Sequence, residues 1–237
     1  MMITLEKITK SVSPGFALKD ISLEVAKGST LALFGPSGCG KTTTLRLIAG
    51  FERPDSGYIH IESKFASNPR RMVAPHRRNV GMVFQDLALW PHMTVGAHLD
   101  FVMDGRIKER TLKKRKIRQM LEKVELVDKA AAYPHQLSGG ERQRLAMARA
   151  LVVEPAVMLM DEPLASLDAH LRSTLLRETR TLIQDMKMTT VYVTHAWNEA
   201  LYLANRIAFM NDGRISKIMT QGIARKYNDQ AVALINR

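Results

Sequence analysis

One stretch of the chain has the composition of a phosphate-binding loop. Residues 35–42 read GPSGCGKT and fit the pattern G-x-x-x-x-G-K-[ST]. The glycines let successive backbone N–H groups turn toward phosphate oxygens, and a helix that begins here adds its positive end. The Lys41 ammonium is expected to contact the β- and γ-phosphates and the Thr42 hydroxyl to ligate Mg²⁺. The predicted phosphate-contacting residues are Gly35, Pro36, Ser37, Gly38, Cys39, Gly40, Lys41, Thr42 and Thr43. A glycine turn that merely opens a surface helix is the alternative.

A pair of acidic residues supplies the second half of such a site. Asp161 and Glu162 directly follow four apolar residues that are typical of a buried strand. Ligands of open α/β sheets bind at the carboxyl ends of the strands, so both carboxylates are expected near the loop. Asp161 would hold Mg²⁺ through a water molecule, and Glu162 would polarise the attacking water. Taken alone, a strand that ends in a solvated turn explains the pair equally well.

The hydrophobic patterns around these motifs predict an α/β architecture. Apolar residues alternate within the first 25 residues, which predicts antiparallel strands, and Asn211-Asp212-Gly213 predicts a hairpin. Short apolar runs typical of buried parallel strands cover residues 30–34, 80–84, 157–160, 190–194 and 206–210. Helical patterns lie between several of these runs, which indicates layers of helices on a sheet. From about residue 93 to 151 only helical periodicity is present, so we expect an inserted helical subdomain.

The composition excludes several classes of protein. Lys and Arg outnumber Asp and Glu by 35 to 23 in 237 residues, and 46% of the residues are hydrophobic. These values are typical of a globular chain, not of a disordered, collagen-like or coiled-coil one. No apolar run reaches the ~18 residues of a membrane-spanning helix, and the first ten residues lack the apolar core of a secretory signal. A single cysteine excludes an internal disulfide and fits a reducing compartment.

The chain resembles the ATP-binding subunit of ABC transporters from about residue 3 to residue 220. The resemblance rests on motifs in a fixed order. The phosphate loop is followed by Gln85, by Leu137-Ser138-Gly139-Gly140-Glu141, by Asp161-Glu162, by Ser166-Leu167-Asp168 and by His195. It implies a P-loop NTPase core with an N-terminal antiparallel β subdomain and the inserted helical subdomain 93–151. The single domain, 1–237, is expected to hydrolyse ATP with Mg²⁺.

The resemblance also implies roles for residues outside the phosphate loop. Glu162, Lys41, Gln85 and His195 would take part in catalysis; Gln85 would also touch Mg²⁺, and His195 the γ-phosphate. Asp168 would organise a dimer interface. The residues that would bind ATP held by the other subunit are Ser138, Gly139, Gly140 and Glu141. Two subunits would then pack head to tail around two ATP molecules. Glu141 stands where the family more often has Gln, so its carboxylate is expected to face away from the phosphate.

One position departs from the family pattern. The family places an aromatic residue near the N-terminus to stack on adenine. The corresponding position here is Val12, with Phe16 close but displaced. What contacts the adenine therefore stays open.

Three segments look like those of importers for sugars, polyamines, ferric iron, sulfate or molybdate. They are residues 85–95, 133–136 and 162–172. The expected partners are a second copy or a paralogous ATPase subunit, transmembrane permease subunits, and a periplasmic or extracellular substrate-binding protein, but no nucleic acid. The expected location is peripheral, on the cytoplasmic face of the cell membrane. Many such importers carry a C-terminal β-rich regulatory domain, which this chain is expected to lack.

Two other functions are alternatives to import. The same ATPase could drive export or lipid movement. A soluble ABC ATPase acting on nucleic acid or the ribosome is disfavoured, because such proteins usually have a long coiled coil or two cassettes. Here Lys41 and Asp161 are 161 − 41 = 120 residues apart, and sustained heptads are absent.

The basic run at residues 106–118 and the single cysteine each allow a prediction. Residues 106–118 contain eight Lys or Arg and one acid. A solvated helix face is the leading interpretation; a contact with anionic lipid comes next, and nucleic-acid binding last because no aromatic residues interleave. For Cys39, the helix N-terminus and Lys41 are expected to lower the thiol pKa, so that N-ethylmaleimide would inactivate the protein. An inert, buried thiol is the alternative.

Overall fold

A computed structural model describes residues 1–226, which form two β-sheets and seven α-helices. The strands are β1 (Ile3–Ser13), β2 (Phe16–Val25), β3 (Thr30–Phe34), β4 (Ser56–Ile61), β5 (Lys64–Ser67), β6 (Val80–Val83), β7 (Val157–Asp161), β8 (Thr189–Thr194), β9 (Arg206–Asn211) and β10 (Arg214–Thr220). The helices are α1 (Lys41–Ala49), α2 (Val95–Val102), α3 (Arg110–Lys123), α4 (Gly139–Leu151), α5 (Ala169–Asp185), α6 (Trp197–Leu203) and α7 (Gln221–Ala224). The single-domain prediction extends to residue 237, and residues 227–237 lie outside the described part.

The larger sheet has the strand order β10-β9-β3-β8-β7-β6. β3 pairs in parallel with β8 and β9, and β7 pairs in parallel with β6 and β8. Every residue of β3, β7 and β8 is buried, as a sheet covered on both faces requires. All five predicted parallel strands are therefore confirmed, although β6 ends at Val83, one residue earlier than predicted. The carboxyl ends of β3, β7 and β8 meet at one edge of this sheet.

The smaller sheet is antiparallel, with the order β2-β1-β4-β5. Ile3 lies opposite Val25 and Leu5 opposite Leu23, which confirms the alternating pattern in the first 25 residues. The buried side chains of β1 and β2 share one core with Leu45 and Ile48 of α1 and with one face of the parallel sheet. Helix α1 is thus packed between the two sheets, and the loop that precedes it is held from both sides.

Helices α2, α3 and α4 cover the other face of the parallel sheet. As predicted, residues 93–151 contain no strand. Leu99, Leu121 and Leu145 share a second core with Met158 of β7 and Tyr192 of β8. This shared core joins the helical region to the sheet, while the subdomain boundary at 93–151 stays a prediction. Within residues 1–226, no helix is both long and apolar enough to span a membrane.

The basic segment 106–118 is only partly solvated. Lys113 is buried in α3 and donates hydrogen bonds to Asp100 at 2.8 Å and Asp104 at 2.9 Å. These bonds also raise the pKa of Lys113. Lys116 pairs with Glu154 at 2.7 Å. The interpretation of this run as a solvated face is therefore wrong for Lys113, whose charge joins α2 to α3.

The β9–β10 hairpin touches the phosphate loop. Asp212 and Gly213 form its tip with φ angles of 42° and 71°, which confirms the predicted tight turn. The Gly213 N–H donates to the carbonyl of Cys39 at 3.2 Å, and the Lys19 N–H donates to the carbonyl of Gly213 at 2.8 Å. A Cβ on Gly213 would lie 2.0 Å from the Ala17 carbonyl oxygen, so only glycine fits this contact. The hairpin tip thereby ties the loop to β2.

Candidate nucleotide site

The phosphate loop connects β3 to α1 at the shared edge of the parallel sheet. Gly40 is the N-cap residue of α1, with a φ of 105°, and no side chain caps this helix. A Cβ there would meet Leu18 Cδ2 at 2.3 Å, and the positive φ favours glycine. The first N–H groups of α1 are thus without a side-chain acceptor, which is the arrangement that binds anions at helix N-termini.

The Lys41 ammonium lies inside this loop. Its side chain is 4% exposed and donates to the carbonyls of Gly35 at 2.9 Å and Pro36 at 2.8 Å. It also lies 3.7 Å from Glu162 Oε1. The predicted phosphate-binding cation and the predicted water-polarising acid are therefore neighbours.

Thr42 and Asp161, both predicted at the Mg²⁺ site, are in direct contact. The Thr42 hydroxyl donates to Asp161 Oδ1 at 2.8 Å. Burial at the end of β7 raises the pKa of Asp161, while the bond from Thr42 acts in the opposite direction. A hydroxyl and a carboxylate side by side are hard oxygen ligands, and Mg²⁺ in nucleotide sites typically takes one or two such protein ligands in addition to phosphates. The residues present therefore fit this ion.

Glu162 and His195 form a contact that the sequence did not predict, although each was a candidate on its own. His195 Nδ1 lies 2.8 Å from Glu162 Oε2, so the ring N–H can donate to the carboxylate. The two residues follow adjacent strands, β7 and β8. The backbone N–H of Glu162, at a φ of 42°, donates to the carbonyl of Val193 at 3.0 Å. Glu162 thus has Lys41 near one oxygen and His195 at the other.

An open cavity of about 700 Å³ lies over these residues. Its lining residues are Val12, Ser13, Phe16, Ser37, Gly38, Gly40, Lys41, Thr42, Thr43, Gln85 and Glu162. The volume is in the range of small-molecule sites. Both candidates for contact with the base, Val12 and Phe16, face the same space as the phosphate loop. Gln85 is exposed in the loop after β6 and lines this cavity, and its role at Mg²⁺ stays a prediction.

A larger groove, of about 820 Å³, lies elsewhere, against β1, β2 and β4. Thr4, Lys7, Glu24 and Tyr58 are among its lining residues, and none of the predicted site residues is. Volume alone therefore does not identify the functional site in this protein.

The second predicted phosphate-binding group forms the N-terminus of α4. Ser138 Oγ accepts from the Glu141 N–H at 3.2 Å, and Glu141 Oε2 accepts from the Ser138 N–H at 2.7 Å. This reciprocal pair is a capping box, and the bond from Ser138 lowers the pKa of Glu141. The carboxylate is turned back onto its own helix end. None of residues 138–141 lines the cavity over the phosphate loop.

Asp168 caps the N-terminus of α5. Its carboxylate accepts the Leu171 N–H at 3.0 Å, a bond that lowers the pKa of this exposed acid. The side chain thus has a structural role in its own chain, in addition to the interface role that remains a prediction.

Arg149 is a buried charged residue of this region that was not among the predicted site residues. It lies buried in α4 and donates to the carbonyls of Leu87, at 2.8 Å, and Ala88. Its guanidinium also stacks 5.1 Å from the ring centre of Trp90, and burial lowers the pKa of Arg149. The residue fixes the segment that follows Gln85. The available signal was a charged residue among the buried apolar positions of a helix.

The environment of the Cys39 thiol differs from the one that was predicted. The thiol is 4% exposed, packs in the core between the two sheets and does not line the cavity. Burial raises the pKa of Cys39 despite the opposing effect of Lys41. The expectation of a lowered pKa is therefore wrong, because the side chain at this point of the loop is directed away from the phosphate space.

Comparisons with known proteins point to one family. A family model described as "ABC transporter" matches residues 18–165. The spermidine/putrescine import ATP-binding protein PotA of Thermobifida fusca is 45% identical, over 92% of this chain and 57% of the relative. The sulfate/thiosulfate import ATP-binding protein CysA of Gloeobacter violaceus is 44% identical, over 92% of this chain and 62% of the relative. This chain thus spans about three fifths of the length of these two relatives. A probable CysA protein of Chlorella vulgaris is 42% identical, over 97% of this chain and 94% of the relative.

A solved structure has the same architecture. The dimeric structure of the bacterial ABC transporter cassette MJ0796 superimposes with a TM-score of 0.81 at 28% identity, over 93% of this chain and 99% of the cassette. A second structure of that cassette, a dimer in a post-hydrolysis state bound to ADP and Pi, gives the same values.

Proposed function

Since this chain belongs to the ABC transporter family, we propose that it is the ATP-hydrolysing subunit of a solute importer and that it acts as a dimer closed around two ATP molecules. One observation carries the catalytic part of the proposal. The phosphate loop, the Thr42–Asp161 pair and the Glu162–His195 pair converge at one edge of the sheet. A reaction at a terminal phosphate needs a cation, a metal-binding group and a base at one point, and these pairs provide them.

The phosphate loop, the Mg²⁺-binding residues and Glu162 have separate roles in the proposed hydrolysis. The backbone N–H groups of the loop and the Lys41 ammonium bind the β- and γ-phosphates. Thr42 and Gln85 would hold Mg²⁺ directly and Asp161 through water, and the bound ion would supply positive charge against the developing phosphate charge. Glu162 takes a proton from the attacking water while the water oxygen bonds to the γ-phosphorus. The bond from that phosphorus to the β–γ bridging oxygen breaks, and ADP leaves with the bridging oxygen.

The base of the nucleotide is proposed to pack against Val12 and Phe16. Val12 is 45% exposed, and both side chains border the same cavity as the phosphate loop. An aliphatic side chain and an aromatic ring can both cover the face of a purine by burying apolar area. ATP is the nucleotide we propose.

The dimer is proposed to complete each site with the N-terminus of α4 from a second subunit. Residues 138–141 lie outside the cavity of their own chain, and the related cassette MJ0796 is dimeric. Ser138, Gly139 and Gly140 would present a hydroxyl and backbone N–H groups to the γ-phosphate. Asp168, at the exposed start of α5, would lie at the interface.

The remaining partners are proposed to be permease subunits on the cytoplasmic face of a membrane, with a substrate-binding protein on the other side. The relatives PotA and CysA are named import ATP-binding proteins. Phe101 and Tyr133 are exposed aromatic residues, and the Phe101 ring packs at 5.1 Å against the ring of Trp90, which lies in the importer-like segment 85–95. Exposed aromatic side chains of this kind are candidates for a protein contact. A permease gene beside the gene for this chain would support the assignment, and a neighbouring binding-protein gene would favour import over export.

The catalytic proposal is tested with Glu162→Gln. A positioned base is worth about 10²- to 10⁴-fold in rate, so the variant should hydrolyse ATP slower by that factor. It should bind ATP as the wild type does and accumulate an ATP-bound dimer in size-exclusion chromatography. Glu154→Gln, an exposed acid paired with Lys116, is the matched control and should keep wild-type turnover. Near-normal hydrolysis by Glu162→Gln would remove Glu162 from this role, and a wild type inactive toward MgATP would overturn the ATPase assignment.

A further inference from the structure

A buried carboxylate lies behind the catalytic pair and has no role in the proposed hydrolysis. Glu199, in the first turn of α6, is 5% exposed. Its Oε2 atom accepts hydrogen bonds from the Tyr192 hydroxyl at 2.9 Å and the Thr194 hydroxyl at 2.7 Å. Both donors belong to β8, the strand that ends just before His195. A buried carboxylate without partners is strongly unfavourable, so these two hydroxyl donors are what stabilise Glu199 at this position.

The same bonds hold the backbone on both sides of His195. The Thr194 hydroxyl donates to Glu199 and also accepts the Ala196 N–H at 3.0 Å. One hydroxyl therefore joins the residue before His195, the residue after it, and the helix that follows. Helix α6 is itself anchored, because the Trp197 ring packs edge-on against Phe34 at 5.4 Å.

The other carboxylate oxygen faces the loop that follows Glu162. Glu199 Oε1 lies 4.0 Å from Arg172 Nε. The Nη2 atom of the same guanidinium donates to the carbonyls of Leu167 at 2.8 Å and Ala165 at 3.3 Å. Among the described residues, Arg172 Nε is buried without a hydrogen-bond partner, so Glu199 provides the opposite charge that it faces. The charge pair thus connects the turn at His195 to the segment between Glu162 and Asp168.

We propose that Glu199 is a positioning residue for ATP hydrolysis, an inference that rests on the proposed function. It is not among the residues that line the cavity over the phosphate loop. It holds the His195 turn through Thr194 and the 165–168 segment through Arg172, so that the two loops keep Glu162 and His195 at 2.8 Å. A displacement of about 1 Å in a catalytic group can cost about 10²-fold in rate. Loss of these Glu199 contacts should therefore lower the rate of ATP hydrolysis much more than the affinity for ATP.

Steady-state kinetics of Glu199→Gln provide the main test. The variant keeps an acceptor oxygen but loses the charge that faces Arg172. We expect kcat to fall about 10- to 100-fold with the KM for ATP within about threefold of wild type. Glu178→Gln is the matched control, since Glu178 is likewise an acid paired with an arginine, Arg144, at 3.5 Å, but is more exposed than Glu199, and it should leave both constants unchanged. Equal kcat for the two variants, or a parallel loss of kcat and nucleotide binding in Glu199→Gln, overturns the proposal.

A second variant covers the case in which Glu199→Gln does not fold. Arg172→Lys keeps the positive charge at a partly exposed position but cannot bond the two loop carbonyls and face Glu199 at once. It should show the same fall in kcat at constant KM, and wild-type kcat in this variant contradicts the proposed tie.

Hydrogen exchange separates this proposal from the proposed function, because it needs no ATPase activity. Backbone amides of residues 164–168 and 194–197 should exchange about tenfold faster in Glu199→Gln than in wild type, and their exchange should be unchanged in Glu178→Gln. If the wild type does not hydrolyse ATP, the proposed function fails while exchange still decides whether Glu199 ties the loops. Unchanged exchange in both segments overturns the tie.

Discussion

Two helices of this protein begin at glycine-containing segments that are predicted to bind phosphate, and their N-termini are capped differently. Before α1, Gly40 is in the left-handed conformation and no side chain caps the helix. Before α4, Ser138 and Glu141 cap the helix reciprocally. The first leaves its N–H groups for a ligand, whereas the second satisfies two of its own donors and holds a carboxylate beside them.

The difference indicates that the two segments bind phosphate under different conditions. An uncapped helix start beside a buried lysine can bind a phosphate group without help. At the start of α4, an incoming anion meets donors that are already partly used and a negative Glu141. That segment is therefore expected to bind phosphate only when the nucleotide is already held by another subunit.

The largest effect is expected from disabling each segment in turn. Lys41→Ala should lose nucleotide binding in its own chain, whereas Ser138→Arg should bind nucleotide but block closure of the dimer; each alone should be inactive. In a heterodimer of the two variants, the intact loop of one chain meets the intact α4 start of the other, which leaves one complete site. ATPase activity should therefore return when the variants are mixed.

The control for this mixing experiment is Ser216→Arg, the same bulky change on exposed β10, which should be active alone. The heterodimer is verified by tagging one chain. A verified heterodimer without activity argues against a site shared between subunits.

Glycine-to-alanine substitutions should change the free energy of unfolding in opposite directions in the two segments. At Gly40, alanine requires a φ of 105° and places Cβ 2.3 Å from Leu18 Cδ2, which should cost about 1–3 kcal/mol of unfolding free energy. At Gly139, the nearest atom to a Cβ is Leu167 Cδ2 at 3.6 Å, and the position is helical. Alanine there should be neutral or stabilise by about 0.5–1 kcal/mol. Urea unfolding measures both, and equal destabilisation would contradict the contrast.

Cys39 provides a kinetic probe of the first segment. Because burial raises the pKa of Cys39 and removes the thiol from solvent, N-ethylmaleimide should label the folded protein at least about tenfold slower than the urea-unfolded chain. Cys39→Ser should remain an active ATPase. Mass spectrometry follows the labelling, and equal rates in folded and unfolded protein would show that the loop does not pack against the core.

The smallest effect is expected at Glu141, where Gln can keep the capping box but not the charge. Glu141→Gln should lower the unfolding free energy at pH 7 by about 0.3–1 kcal/mol, through the lost interaction with the helix N-terminus. The folded-state pKa of Glu141 lies below its ordinary value of 4.5, so its contribution is present above that value and is lost as pH falls through the folded-state pKa. Urea midpoints of the two proteins should therefore converge in acid; a constant difference at all pH values would rule out the charge as its cause.

Local signals were sufficient for the strands, the phosphate loop and the acid pair. Buried parallel strands such as β7 are continuous apolar runs, and the loop motif is contiguous, so neither depends on distant residues. The contact of Glu162 with His195 could not be predicted because it depends on two strands being neighbours in the sheet. The orientation of Cys39 was mispredicted for a related reason. Its surroundings come from the antiparallel sheet and the β9–β10 hairpin, which the loop sequence does not contain.

The position of β3 has a consequence for the order of events during synthesis. Its neighbours in the sheet, β8 and β9, come much later in the sequence. Gly213, whose N–H donates to the Cys39 carbonyl, comes later still. At about 5–20 residues per second, the ribosome needs roughly 10–35 s between making β3 and making β9. During that interval the apolar strand Thr30–Phe34 has neither partner, so the nascent chain cannot complete its nucleotide site until Gly213 has been translated.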